Sequence, residues 1–152
     1  HMKNYTETLS EIAAREYGDC VVRSLAVGFG IAYDEAHMIY KEYFNRKDKC
    51  GVDEFILKMM NKEFQKMLKM EYGVEVEFKS CRYQDKEGNS KKGFVRKFIK
   101  DNPRGKFIIA GTKHAWVIED GEVKDWPSFK DKIYREIDCV FKVTRQGQLS
   151  LF

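Results

Sequence analysis

The sequence predicts an α+β domain, with helices in its first half and mostly strands in its second half. Apolar residues recur at helical spacing up to about residue 72. From Val74 onward they mostly alternate with polar residues, which is the period of a half-buried strand. Strands and helices do not alternate one by one, as they would in a parallel α/β fold. The chain has 152 residues, which predicts one domain spanning residues 2–152.

Four helices are predicted in the first half, at 5–16, 20–29, about 34–46 and about 52–72. The segment 20–29 is the most apolar of the four, which is typical of a central buried helix. The helices at 34–46 and 52–72 each carry one apolar stripe, which indicates that one side faces a core.

The second half is predicted to contain a strand from Val74, a polar loop at 84–93, a short helix at 94–101, and strands at 107–110, 113–119, 122–126 and within 133–143. Asp120-Gly121 separates two of these strands and is a preferred dipeptide for a two-residue type I′ turn. Such a turn would pair Trp116 with Asp125. It would place the side chains of His114, Trp116 and Ile118 on one face of the sheet.

The charge pattern is mild, with 28 basic and 24 acidic residues and a net charge of +4. This balance does not by itself indicate a nucleic-acid partner, so none is expected, although binding through the basic stretch 91–106 is an alternative. No apolar run approaches the roughly 20 residues of a membrane span, and the sequence shows no secretory signal pattern. We therefore expect a cytoplasmic protein with no membrane partner.

The four cysteines, Cys20, Cys50, Cys81 and Cys139, are too far apart for a CxxC motif. A zinc ribbon or a redox motif is therefore not expected, and the sequence predicts no metal and no cofactor. In a cytoplasmic protein these cysteines are expected to be reduced thiols that pack as small apolar side chains. The sequence leaves the oligomeric state open.

Cys20 differs from the other cysteines because it lies in the first turn of the most apolar helix. A helix amino terminus carries about half a positive charge and free backbone N–H groups. These groups stabilise a thiolate and can bind the oxyanion that develops in acyl transfer. Cys20 is therefore a candidate nucleophile, although a cysteine beside Val21 and Val22 is also typical of a core.

A nucleophilic cysteine needs a base, and two histidines follow the first residue of the chain. His37 lies in mid-helix, whereas His114 opens a strand and can present its ring at a sheet end. Asp125 would be the diagonal neighbour of His114 in the predicted hairpin and could orient its imidazole. The apolar remainder of that face predicts packing against the Cys20 helix. In the alternative, Asp125 is an exposed strand-end carboxylate and His114 a satisfied polar residue.

A cysteine at the head of a buried helix, a distant histidine that opens a strand and an aspartate on the next strand follow the order of papain-like cysteine peptidases. The segment 18–26 (GDCVVRSLA) resembles the Asp-Cys helix of a group of small phage and bacterial proteins. In that group a Gly-Thr-x-His strand and an Asp-Gly hairpin ending in Asp follow the helix. Here these residues are Gly111 to His114, Asp120-Gly121 and Asp125. The resemblance covers about 19–37 and 94–126.

This resemblance implies a papain-like fold, in which amino-terminal helices pack on a carboxy-terminal antiparallel sheet. It also implies a Cys20–His114–Asp125 triad that hydrolyses a peptide or isopeptide bond of a protein or peptide, in a host cytoplasm if the chain is phage-encoded. Deamidation and transglutamination use the same triad and stay open. Papain-like peptidases usually carry a Gln shortly before the cysteine, and no Gln precedes Cys20. The alternative is a catalytically silent papain-like module that binds and blocks a host protein.

Overall fold

The computed structural model describes residues 19–44, 52–111, 114–124 and 135–146. Five helices lie in these ranges, at Asp19–Phe29 (α1), Tyr33–Tyr43 (α2), Val52–Met59 (α3), Lys62–Tyr72 (α4) and Val95–Asp101 (α5). Seven strands lie there too, at Val74–Lys79 (β1), Tyr83–Gln84 (β2), Ser90–Lys91 (β3), Lys106–Gly111 (β4), His114–Glu119 (β5), Glu122–Lys124 (β6) and Cys139–Arg145 (β7). The predicted helix at 5–16 is outside the described residues.

Five of the strands form one antiparallel sheet in the order β1-β7-β4-β5-β6. Strands β2 and β3 form a separate antiparallel hairpin. Along the described chain, α1 to α4 precede the sheet and α5 lies between two of its strands. The α+β class predicted from the sequence is therefore confirmed. No helix in the described ranges combines the length and apolar character that crossing a membrane requires.

Each face of the large sheet carries its own helix layer, because side chains alternate along a strand. On the first face, which we call the helix-bundle face, α1 to α4 pack against Val74, Ile108, Ala110, Ala115, Val117, Phe141 and Val143. On the opposite face, which we call the α5 face, Val95 and Phe98 pack against Phe107, Ile109, Trp116, Ile118 and Val140. The prediction that the early helices pack on an antiparallel sheet is thus confirmed.

Helix α1 lies close against the helix-bundle face. A Cβ atom added at Gly28 would stand 2.5 Å from the side chain of Ile108, so glycine allows the helix to approach. The helix ends at Gly30, whose φ of 68° lies in the left-handed region that glycine favours. The Ile31 N–H donates to the Ala26 carbonyl at 3.0 Å and completes this glycine cap.

Two cations bind the last carbonyl groups of α1. The Arg145 guanidinium donates to the carbonyls of Phe29, at 2.7 Å, and Gly30, at 3.3 Å. The Lys106 ammonium donates to the Val27 carbonyl at 3.1 Å. Cations are favourable at a helix carboxyl terminus, where the carbonyl groups have no partner within the helix. Long-range side chains therefore hold this end of α1 on the sheet.

Replacing Arg145 with methionine is expected to lower the free energy of unfolding by about 1–2 kcal/mol, because the charged hydrogen bonds to α1 are lost. Urea unfolding followed by far-ultraviolet circular dichroism would measure this change. The matched control is Lys142→Met, because Lys142 is an exposed cation on the same strand. An equal loss in both variants would show that Arg145 acts through general charge rather than through the end of α1.

The helix predicted at 52–72 is in fact two helices, α3 and α4. The break lies at Asn61, whose backbone is extended with φ −72° and ψ 126°. The Asn61 side chain accepts a hydrogen bond from the Phe64 N–H at 2.9 Å. Asparagine is a preferred N-cap, so the polar side chain ends one helix and starts the next within a continuous apolar stripe.

The polar loop predicted at 84–93 contains the short strands β2 and β3 instead. The Asp85 carboxylate accepts from the Glu87 N–H at 3.0 Å and the Asn89 N–H at 2.9 Å, which closes the turn between them. Arg82 Nε donates to Ser90 Oγ at 2.8 Å across the hairpin. Polar side chains hold this hairpin, so apolar periodicity could not predict it.

The hairpin of β5 and β6 follows its predicted register. Val117 pairs with Lys124, and Glu119 pairs with Glu122. The turn residues Asp120 and Gly121 have φ values of 49° and 79°, as a type I′ turn requires. The Asp120 carboxylate also accepts from the Gly105 N–H at 2.9 Å. The two-residue turn predicted from the sequence is confirmed.

Candidate active site

Cys20 is the second residue of α1, as the sequence predicted to within one residue. Its side chain is a partly buried free thiol that packs at the margin of the core on the helix-bundle face. The Ser24 hydroxyl donates to the Cys20 carbonyl at 2.7 Å, one turn along the helix. The first N–H groups of a helix have no acceptor within it. The position of Cys20 therefore combines a thiol with nearby backbone donors.

His114 is the first residue of β5 and lies opposite Gly111 at the end of β4. Its ring stacks on that of Trp116, with ring centroids 5.6 Å apart and planes 20° apart. His114 is partly exposed, whereas Trp116 is only 2% exposed. A buried indole therefore supports the imidazole at the end of the strand.

Trp116 also contacts a cation and a glycine. The Arg135 guanidinium carbon lies 5.0 Å from the centre of a Trp116 ring, within range of a cation–π interaction. A Cβ atom added at Gly111 would stand 2.9 Å from the tip of the indole, so Gly111 leaves space for that ring. Arg135 was absent from the sequence prediction because no local pattern links it to Trp116. Arg135 and Trp116 are neighbours only in the folded structure.

The prediction that the His114 face packs against the Cys20 helix is wrong. Helix α1 covers the helix-bundle face, where Ala115 and Val117 point. His114 and Trp116 alternate with those residues and lie on the α5 face. Small side chains such as Ala115 allow α1 to approach the sheet closely. The large Trp116 indole packs instead with the side chains of α5 on the opposite face. Cys20 and His114 are therefore on opposite faces of the sheet.

The start of β5, with His114, is one end of the β4–β5 strand pair. The carboxyl end of α1 lies over the start of β4, because Val27 contacts Lys106 and Gly28 contacts Ile108. His114 stands at the other end of this strand pair, roughly 16 Å away along the sheet. The amino end of α1, which contains Cys20, is therefore the end of the helix nearer to His114.

The third predicted residue, Asp125, lies outside the described residues. The last described pair of the hairpin is Val117 with Lys124, which keeps the register on which the prediction for Asp125 depends. Its role beside His114 stays a prediction.

Two other thiols lie in surroundings that favour their protonated form. Burial raises the pKa of Cys81, and the negative charge of Asp101 raises it further. Burial likewise raises the pKa of Cys139, with a contribution from Asp138. A raised thiol pKa lowers the thiolate fraction at neutral pH, and the thiolate is the nucleophile. Cys81 and Cys139 are therefore poor candidates for a nucleophile, whereas Cys50 is outside the described residues.

His37 lies within α2, partly exposed and beside Tyr33 with ring centroids 6.2 Å apart. This matches the prediction that His37 lies in mid-helix. Among the residues that the structure describes, no group of three or more His, Cys, Asp or Glu side chains could hold a metal ion.

Comparisons of the chain with protein-family models, curated proteins and solved structures found no match. The residues and their geometry are therefore the basis for a functional proposal.

Proposed function

We propose that this chain is a cysteine-dependent hydrolase of papain-like fold that cleaves a peptide or isopeptide bond. The observation that carries the proposal is the position of Cys20 in the first turn of α1, where its thiol is only partly buried. The helix terminus supplies N–H donors and a positive potential to that thiol. Packing of α1 on an antiparallel sheet supports the papain-like arrangement that the sequence resembles.

In this proposal His114 accepts the proton of the Cys20 thiol, and the thiolate attacks the carbonyl carbon of the substrate. Backbone N–H groups at the start of α1 stabilise the oxyanion. His114 returns the proton to the leaving amine as the C–N bond breaks, which leaves a thioester on Cys20. A water molecule, deprotonated by His114, then hydrolyses the thioester and restores the thiol. Asp125 orients the imidazole and stabilises its charged form.

In this mechanism the His114 imidazole reaches the Cys20 thiol at the end of the strand pair formed by β4 and β5. In the described geometry its ring stacks on Trp116 on the α5 face, and Cys20 lies at the margin of the helix-bundle face. His114 is the first residue of β5, so it lies at one end of the β4–β5 strand pair.

The second candidate function is a catalytically silent papain-like module that binds and blocks another protein. The placement of Cys20 and His114 on opposite faces favours it, because the Cys20 helix packs on one face whereas the His114 ring stacks on Trp116 on the other. The lack of a Gln before Cys20 favours it as well.

The rate of iodoacetamide alkylation at each cysteine, read by peptide mass spectrometry across pH, distinguishes the two functions. At about pH 6.5 we expect Cys20 to react at least about tenfold faster than Cys81 and Cys139, because only an activated thiolate reacts well below neutral pH. The raised pKa values of the other two thiols mean that their rates should rise only at higher pH.

His114→Ala should remove the fast reaction of Cys20, whereas the control variant His37→Ala should keep it. A Cys20 that stays inert until the protein unfolds would contradict the hydrolase and support the binding module. Fast labelling that survives His114→Ala would show that another group activates the thiol, and the assignment of His114 would be wrong.

A further inference from the structure

Positive charge is concentrated in one short part of the chain. Residues 82–104 contain eight basic and three acidic side chains, a net charge of +5, whereas the whole chain has a net charge of +4. The remaining residues therefore carry a net charge of −1. We call these eight basic residues the basic face: Arg82, Lys86, Lys91, Lys92, Arg96, Lys97, Lys100 and Arg104.

The structure joins the two elements of this segment into one surface. Tyr83 of β2 packs edge-to-face on Phe94 at the start of α5, with ring centroids 6.4 Å apart. Lys97 of α5 lies over the Tyr83 ring, 5.9 Å from its centre. The hairpin of β2 and β3 therefore lies against α5, and their cations share a surface on the outside of the α5 face.

Two of the three acidic residues of the segment, Asp85 and Asp101, are already engaged within it. Asp85 closes the β2–β3 turn and lies 3.9 Å from the Lys91 ammonium. Asp101 pairs with Lys97 at 3.2 Å, one helical turn away. Outside the segment, Asp138 pairs with Lys92 at 2.6 Å.

Three cations of the basic face are left for an external anion. Lys86, Lys100 and Arg104 are exposed, and none forms an ion pair with a residue in the described ranges. Arg82 is also exposed, and its guanidinium donates to the Ser90 hydroxyl and carbonyl rather than to a carboxylate. The positive potential of this surface is therefore only partly neutralised by the protein itself.

We propose that the basic face binds the phosphate backbone of a double-stranded nucleic acid without sequence preference. A protein partner is less suited to it, because protein interfaces depend on buried apolar anchors. The large exposed apolar residues in the described ranges all lie outside the segment, at Met38, Leu57, Met60, Met70 and Phe78.

A single strand is also less suited to this face than a duplex. Single-strand binding depends on open aromatic rings on which bases stack. Here Tyr83 and Phe94 pack on each other, and Lys97 covers Tyr83. Contacts to the duplex backbone need only cations, and such binding weakens as salt rises because counterions are released.

The test is fluorescence anisotropy with a labelled mixed-sequence duplex of about 20 base pairs, between about 50 and 200 mM salt. The variant combines Lys86→Gln, Lys100→Gln and Arg104→Gln. The matched control combines Lys41→Gln, Lys62→Gln and Lys66→Gln, which removes three exposed cations elsewhere. We expect the first variant to bind at least about tenfold more weakly, with a salt slope smaller by about 2 to 3. The control should change affinity by less than about threefold.

Several results would overturn the proposal. Equal losses in the two variants would show a general charge effect, and salt-independent affinity would exclude backbone binding. Tighter binding to polyglutamate would indicate an acidic protein partner, and tighter binding to a single strand of equal length would exclude the duplex. Circular dichroism would verify that both variants fold. The proposal does not depend on catalysis, so Cys20→Ser should bind the duplex as the wild type does.

Discussion

Trp116→Ala is expected to lower the free energy of unfolding by about 3–5 kcal/mol, the usual range for deleting a buried aromatic side chain. Trp116 is 2% exposed and belongs to the apolar cluster between the sheet and α5. Its ring also supports His114 and lies beside the Arg135 guanidinium. Alanine would leave a cavity next to the strand end where His114 lies. Urea unfolding followed by far-ultraviolet circular dichroism would measure the change. This signal comes from the backbone, so it does not depend on the fluorescence of the removed tryptophan.

Two controls separate packing from the support of His114. Trp116→Phe keeps an aromatic ring and should cost less than the alanine variant, because the cavity is smaller. In nuclear magnetic resonance spectra the ring protons of His114 should lose their ring-current shift in Trp116→Ala, while those of His37 should not change. A loss of stability below about 1 kcal/mol would show that α5 collapses onto the sheet and refills the space.

Gly93→Ala is expected to lower the free energy of unfolding by about 3 kcal/mol, the upper part of the usual range for overpacking. A Cβ atom at Gly93 would stand 2.2 Å from the Cys81 carbonyl oxygen and 2.4 Å from its sulfur. Gly93 is buried, and its carbonyl accepts from the Ile137 N–H at 2.8 Å, so its backbone is held in place. The added methyl group must therefore displace the backbone at Cys81. Urea unfolding would measure the loss.

Gly28→Ala provides a matched comparison, because its added Cβ atom meets only side chains, chiefly Ile108 at 2.5 Å. Adding Ile108→Val removes one of the crowded atoms and should recover part of the stability lost in Gly28→Ala. Adding Cys81→Ala to Gly93→Ala removes the sulfur but leaves the carbonyl contact, so that pair should stay unstable. If Cys81→Ala restored full stability, the backbone contact at Gly93 would not be the cause.

Local patterns were sufficient to predict several elements. The helical spacing of apolar residues predicted α1 to within one residue. The alternation that begins at Val74 predicted β1, and Asp120-Gly121 predicted both the turn and the register of β5 and β6. Each of these signals acts over a few residues, since a periodicity or a turn reflects backbone geometry near its own position.

The same local logic failed where a single polar contact overrides an apolar pattern. Asn61 divides the helix predicted at 52–72, because its side chain caps α4. Polar side chains closed the β2–β3 hairpin in a segment that lacks apolar alternation. Such contacts depend on which partner a side chain finds, and composition does not show this.

For the candidate site, the sequence showed the order of Cys20 and His114 along the chain. It did not show on which face of the sheet each residue lies. Alternation along the strand predicted that His114 and Trp116 share a face, but it did not show against which face α1 packs. Gly28 within α1 and the small Ala115 side chain beneath it allow the helix to pack on one face, whereas the large Trp116 indole packs with α5 on the other. Helix packing depends on the shape of both faces at once. Only the tertiary structure could therefore show that Cys20 and His114 lie on opposite faces of the sheet.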